Sequence, residues 1–176
     1  MDDDDAPRLF TGRLELIAAT PTLARAATKS AAALGELLAC EVPPGWPPEL
    51  MKDQQEPWAA QLEADPTLTG WSAWYIVQVK PAVLVGSIGL SGRPDADGCV
   101  ECGYALLPKY QRKGYATEAM GGLIDWAFSH PEVRRIRAHT YRNLPASIRV
   151  LEKNGLSHVG DGDEPDTIRF ELARPD

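Results

Sequence analysis

The stretch Gln111-Arg112-Lys113-Gly114-Tyr115-Ala116 sets a glycine and two cations between two apolar runs. The first run, Val100 to Leu107, reads as a strand, and the second, Ala116 to Phe128, reads as a helix. Backbone N–H groups at a helix N-terminus lack partners and carry partial positive charge, so a strand–turn–helix of this composition suits a phosphate. On the preceding strand, Glu101, Gly103, Ala105 and Leu107 share one face, and Val100, Cys102, Tyr104 and Leu106 share the other. The first face has one carboxylate and two near-absent side chains. Either it leaves room for a ligand with an acid at one end, or the small residues admit a neighbouring helix and Glu101 ends a solvated strand. Downstream, Asn143 and Ser147 are four apart and share a side if a helix begins near Leu144. Asn143 then either reaches a ligand or caps that helix.

The positioning elements follow from periodicity. Arg13 to Ile17 alternates as a strand, and Thr20-Pro21 reads as the cap and first turn of a helix running to about Ala39. Val42 to Pro48 is a stiff, proline-rich loop, and a second helix spans Glu49 to Glu63. Trp74 to Val79 and Ala82 to Leu90 read as strands, with a turn at Lys80-Pro81. Arg93 to Gly98 is a hairpin turn into the strand ending at Leu107. Arg135 to Tyr141 alternates as a strand, Pro145 to Asn154 is a short helix closed by Gly155, and the strands around Val159 and from Thr167 to Leu172 form a last hairpin. The fold class expected is α/β (α+β), with a mostly antiparallel sheet of six to seven strands and about four helices.

Charge and composition narrow the chemistry. The chain has 176 residues and a net charge of −7, against general nucleic-acid binding. Residues 109–153 hold nine Lys and Arg against four Asp and Glu, a net of +5 that leaves −12 elsewhere. A solvated basic face explains most of these cations one by one, but their clustering beside the turn favours an anion site. Cys40, Cys99 and Cys102 are too few and odd in number for a disulfide framework. Cys99 and Cys102 have the spacing of a redox or zinc pair, yet no second pair accompanies them and a strand turns them to opposite faces, so no metal is expected. His139 reads as a core or edge residue of its strand. Nucleophile-elbow, Walker and dinucleotide motifs are absent. The apolar runs are too short to span a membrane and the N-terminus lacks signal-peptide features, so a cytoplasmic location is expected. Residues 1–8 read as a disordered acidic tail, and 9–174 as one domain.

In order, these pieces resemble the GNAT superfamily of N-acetyltransferases. Glu101 to Pro108 followed by Gln111 to Ala119 is similar to its acetyl-CoA motif, with Gln111 where Trp or Arg often stands. Arg135-Ile-Arg-Ala followed by Asn143-x-x-x-Ser147 and Val150 to Gly155 is similar to its second motif. The opening Thr11-Gly-Arg-Leu-Glu-Leu most resembles the RimJ/RimL branch, which acetylates protein N-terminal amines and also includes acetylases of antibiotics and metabolites. The resemblance implies a splay between the strands at 100–107 and 135–141, with pantetheine paired to the first strand. It implies pyrophosphate on the N–H groups of Arg112 to Ala116, at a turn formed by Gln111, Arg112, Lys113, Gly114, Tyr115, Ala116 and Thr117, with Asn143 on the pantetheine arm. It further implies Glu101 as base, an oxyanion donor at Leu106 or Leu107, and Ser147 at the leaving thiolate. A serine is a poorer acid than a thiol, so Ser147 hydrogen-bonds the thiolate or relays a proton from water. The implied activity is acetyl transfer from acetyl-CoA to a primary amine by direct attack in a ternary complex. The alternative is a non-catalytic acyl-CoA sensor on the same fold. The implied partners are acetyl-CoA and a small-molecule or protein amine, with neither nucleic acid nor membrane, and a homodimer is left open. Trp46, Trp58 and Trp71 either line a substrate cleft or pack in the core.

Overall fold

The computed structural model describes residues 6–176. Eight strands form one sheet: β1 (Arg8–Phe10), β2 (Leu14–Ala18), β3 (Ala73–Gln78), β4 (Val83–Leu90), β5 (Cys99–Leu106), β6 (Arg135–Tyr141), β7 (Ser157–Asp161) and β8 (Thr167–Ala173). Their spatial order is β1-β2-β3-β4-β5-β6-β8-β7. Every neighbouring pair is antiparallel except β5 and β6, which run parallel. The helices are α1 (Pro21–Lys29), α2 (Ala31–Leu38), α3 (Gln55–Ala64), α4 (Tyr115–Phe128) and α5 (Pro145–Lys153). No helix among the described residues is long and apolar enough to cross a membrane.

Two expectations are corrected by local chemistry. The helix expected from Pro21 to Ala39 is two helices, because Ser30 takes an extended conformation (φ −168°, ψ 156°) that ends α1 and caps α2. Its hydroxyl accepts from the Ala33 N–H at 3.0 Å, the short-range bond that lets serine interrupt a helix. Within the stretch 1–8 expected as a tail, Ala6 is buried and Arg8 begins β1, the strand that raises the count to eight. Met1 to Asp5 lie outside the described residues.

The sheet separates two cores. On one face Trp74, Ile76, Ile88, Val100 and Cys102 pack under Ala119, Met120 and Leu123 of α4 and Leu151 of α5. On the other, Ile17, Tyr75, Val77 and Leu84 pack against Leu23 of α1, Leu34 of α2 and Leu62 of α3. Each large side chain so buried contributes ~1.5–3 kcal/mol. The second layer stops short of β5. Gly103 is exposed, and a Cβ built on it would meet nothing within 4 Å, so its smallness admits no helix.

Two features tilt β5 away from β6. The parallel register covers only Cys99↔Arg135, Val100↔Ile136 and Glu101↔Arg137. Beyond it, β6 stays paired to β8 along its length while β5 stays with β4. The two strands therefore splay, and the backbone of β5 from Cys102 to Leu106 borders the opening.

Candidate active site

Antiparallel pairing decides which backbone groups of β5 face the splay. Ser91 N–H donates to the Glu101 carbonyl at 2.9 Å, so alternate residues from Glu101 bond to β4 and those between turn the other way. Leu106 belongs to the second set, so its N–H points into the opening. The N–H of Leu107 is committed to the Val85 carbonyl at 2.9 Å, which removes it as an oxyanion donor. The Gln111 side-chain amide donates to the Leu106 carbonyl at 3.1 Å and ties the turn to the end of the strand.

In the turn, Gly114 adopts φ +81° and Arg112 φ +62°, a left-handed path that glycine takes without strain. Glu118 N–H is the first of α4 to reach a carbonyl, that of Gly114 at 3.1 Å. The N–H groups of Tyr115, Ala116 and Thr117 precede it and have no helical partner. Tyr115 and Ala116 are themselves buried, and the Tyr115 hydroxyl donates to Gln78 Oε1 at 2.8 Å, so only their backbone faces the site. Arg112 and Lys113 are exposed and have no ion-pair partner among the described residues. The arginines of β6 differ: Arg137 meets Glu171 at 3.1 Å and Arg135 meets it at 3.7 Å, while Arg142, just past the strand, pairs with Asp161. Within the basic segment, Arg135, Arg137 and Arg142 thus have carboxylate partners, whereas Arg112 and Lys113 at the turn have none among the described residues. Free amides, unpaired cations and a left-handed glycine together fit a pyrophosphate.

The turn is braced from the first hairpin. Arg13 donates to Lys113 O at 2.8 Å, pairs with Glu118 at 2.9 Å and lies 4.4 Å from the Tyr115 ring centroid. Thr11 Oγ1 and the Arg13 N–H both donate to Glu118 Oε2. Burial pushes the Glu118 carboxyl up, but these donors outweigh it and hold the group below its ordinary range.

At the other end of β5, Glu101 Oε1 lies 2.6 Å from His139 Nδ1 of β6. The Glu101 side chain is 42% exposed and that of His139 only 19%. An ionised carboxylate only accepts, so Nδ1 carries the proton of this contact. Nε2 is buried without a partner, since Asp163 Oδ2 at 3.8 Å is beyond hydrogen-bond distance. His139 therefore spans the splay and fixes one oxygen of Glu101, leaving the other free.

Ser147 stands on the opposite face. Thr140 Oγ1 donates to Ser147 Oγ at 2.8 Å, and the Tyr104 hydroxyl also bonds to Ser147. Burial raises the Tyr104 pKa, with the Ser147 contact opposing it. Asn143 is exposed and does not cap α5, whose N-cap is Leu144 without any side-chain bond. The acid and the serine are thus brought to one opening from two sides of the sheet.

Other candidates fall away. Burial pushes the Cys102 thiol up to about 12 and that of Cys40 to about 11, so neither is a thiolate at neutral pH. No metal-binding cluster occurs among the described residues. Trp71 packs against Trp126 at 4.9 Å between centroids, and Trp46 joins the α1–α3 core, whereas Trp58 lines a pocket over β5. Sequence reading missed Arg13, Glu118, His139, Tyr104 and Thr140. A parity signal did exist for His139, which shares a face with Arg137, the register partner of Glu101.

The description "Acetyltransferase (GNAT) domain" matches residues 13–157. The N-acetyltransferase YjdG of Bacillus subtilis is 39% identical over 87 residues, covering 49% of this chain and 52% of that protein. YoaA of the same organism is 27% identical over 110 residues, covering 58% and 62%. The chain therefore spans about half the length of the first of these relatives. Among solved structures, the ribosomal-protein-alanine acetyltransferase of Vibrio fischeri superposes with a TM-score of 0.69 at 18% identity, over 95% of this chain and 96% of that one. RimL, a ribosomal alpha-N-protein acetyltransferase solved with coenzyme A, gives 0.65 at 18% identity, over 95% and 98%.

Proposed function

The chain belongs to the GNAT acetyltransferase domain family, and from that premise we propose that it transfers an acetyl group from acetyl-CoA to a primary amine. The observation that carries the proposal is the 2.6 Å Glu101–His139 contact at the mouth of the splay. It supports a fixed carboxylate on one face of an opening whose other face holds Ser147. Acetyl-CoA supplies an acyl group activated as a thioester. The N–H groups of Tyr115, Ala116 and Thr117, with Arg112 and Lys113, hold the pyrophosphate. Asn143, exposed beside the opening, and the unpaired backbone of β5 hold the pantetheine arm.

Glu101 is the base. The free oxygen of its carboxylate takes a proton from the incoming ammonium, directly or through water, so that a neutral amine attacks. His139 is a positioning residue: its Nδ1–H keeps the other oxygen occupied and stops the carboxylate rotating. Leu106 N–H stabilises the negative charge developing on the carbonyl oxygen. Ser147 donates to the departing sulfur, and Tyr104 and Thr140 orient its hydroxyl.

The test is calorimetry with acetyl-CoA, followed by thiol release with an amine panel. Binding together with amine-dependent thiol release is expected. Absence of binding at millimolar cofactor would overturn the reading, and binding without turnover on any amine would leave a sensor in its place.

A further inference from the structure

The same sheet face that bears Glu101 carries a pocket of about 660 Å³. Its floor is a patch of small residues crossing three strands, with Ala73, Gly89 and Gly103 in one register row and Ser87 opposite Ala105 in the next. Its roof is Leu50, Met51 and Gln54, with Pro57, Trp58 and Gln61 of α3. Ser72 and Ser87 also line it. They are 5% and 3% exposed, and neither hydroxyl has a hydrogen-bond partner among the described residues. Both hydroxyls are therefore available to a ligand or water in the pocket. None of the lining residues is charged.

We propose that this pocket holds the body of the acceptor, and that the acceptor is a small-molecule monoamine with an uncharged body bearing a hydrogen-bonding group. The proposal rests on the acetyltransferase reading and narrows its acceptor. The amine lies towards Glu101, two residues along β5 from Gly103, and the body lies over Gly103 and Gly89 under Trp58. A second ammonium, as on a polyamine or aminoglycoside, would be desolvated there with no carboxylate opposite it. A free amino acid would bring a carboxylate to a pocket without Lys or Arg. The volume falls in the ~300–1,000 Å³ range of small-ligand sites. Ser72, Ser87 and the Gln54 and Gln61 amides supply neutral donors and acceptors for a hydroxyl or amide on the body.

The experiment is thiol release at saturating acetyl-CoA with tyramine, spermidine, kanamycin, phenylalanine and a neutral tripeptide. Tyramine is expected to exceed each of the others in kcat/KM by tenfold or more. In Gln61→Glu, a near-isosteric change that puts a carboxylate in the roof, the spermidine-to-tyramine ratio of kcat/KM is expected to rise at least tenfold. In Gly103→Val, the added side chain enters open space, so KM for tyramine should rise while calorimetric affinity for acetyl-CoA holds. Preference for spermidine, kanamycin, phenylalanine or the peptide in the wild type overturns the proposal. So does an unchanged ratio in Gln61→Glu, or silence on all five amines with acetyl-CoA bound. Failure to bind acetyl-CoA at all would instead sink the acetyltransferase reading beneath it.

Discussion

The turn at Gln111 to Thr117 and the pocket over Gly103 flank one strand, β5, and are built on opposite plans. The turn has unpaired cations, free amides and a left-handed glycine, and it is braced by Arg13 and Glu118. The pocket has no charged lining, a floor of small side chains and two serine hydroxyls. On the proposed function, the difference divides the tasks. A constant, highly charged cofactor end is held by charge and backbone dipoles, which act over distance and tolerate exposure. An acceptor must be told from its rivals, and an uncharged pocket does so by penalising whatever charge it cannot pair.

The largest effect should come where the two plans meet. Glu101→Gln is expected to lower kcat by about 100- to 10,000-fold with little change in acetyl-CoA affinity. His139→Ala should fall in the same direction but less, and His139→Asn, whose amide can still donate to Glu101, should recover part of kcat. Equal losses in kcat and cofactor affinity for Glu101→Gln would move that carboxylate to the cofactor half and break the division.

Next, Gly114→Val tests the turn alone. A non-glycine residue in the left-handed region costs ~1–2 kcal/mol, and its Cβ would come within 3.2 Å of the Arg13 guanidinium. Cofactor affinity by calorimetry should weaken about tenfold or more. Unchanged affinity would mean that the turn plays no part in anion binding.

The smallest effect concerns the brace. Glu118 titrates below its ordinary range in the folded chain, so its stabilisation is present above the unfolded carboxyl value of ~4.3 and is lost as pH falls through the lowered folded value. Glu118→Gln should therefore melt a few degrees lower at neutral pH, at about 2–4 °C per kcal/mol. The gap to the wild type should close in acid. A gap independent of pH would show that the carboxylate's charge is not what holds the turn.

The sequence carried the turn and the motifs around it because they are local. A glycine between strand and helix, two adjacent cations, and Asn143 four residues before Ser147 are read from neighbours along the chain. Periodicity likewise gave seven of the eight strands. It missed β1, a three-residue strand too short to show alternation, and the break at Ser30, where a cap outweighs continuous helical spacing. The Asn143 cap failed because Leu144 took that position.

What local pattern determined, then, was the family, the strand–turn–helix and the candidacy of Glu101 and Ser147. What the tertiary structure decided was their company. His139 is 38 positions from Glu101 and meets it because three parallel rungs bring β6 alongside β5 before they part. Ser147 was fixed on the opposite face by Thr140 and Tyr104. The pocket, made from three strands and the α3 roof, has no contiguous signature at all. Its character is an absence of charge, which becomes visible only when residues from distant segments share one surface, because charge pairing and burial depend on distance in space rather than along the chain.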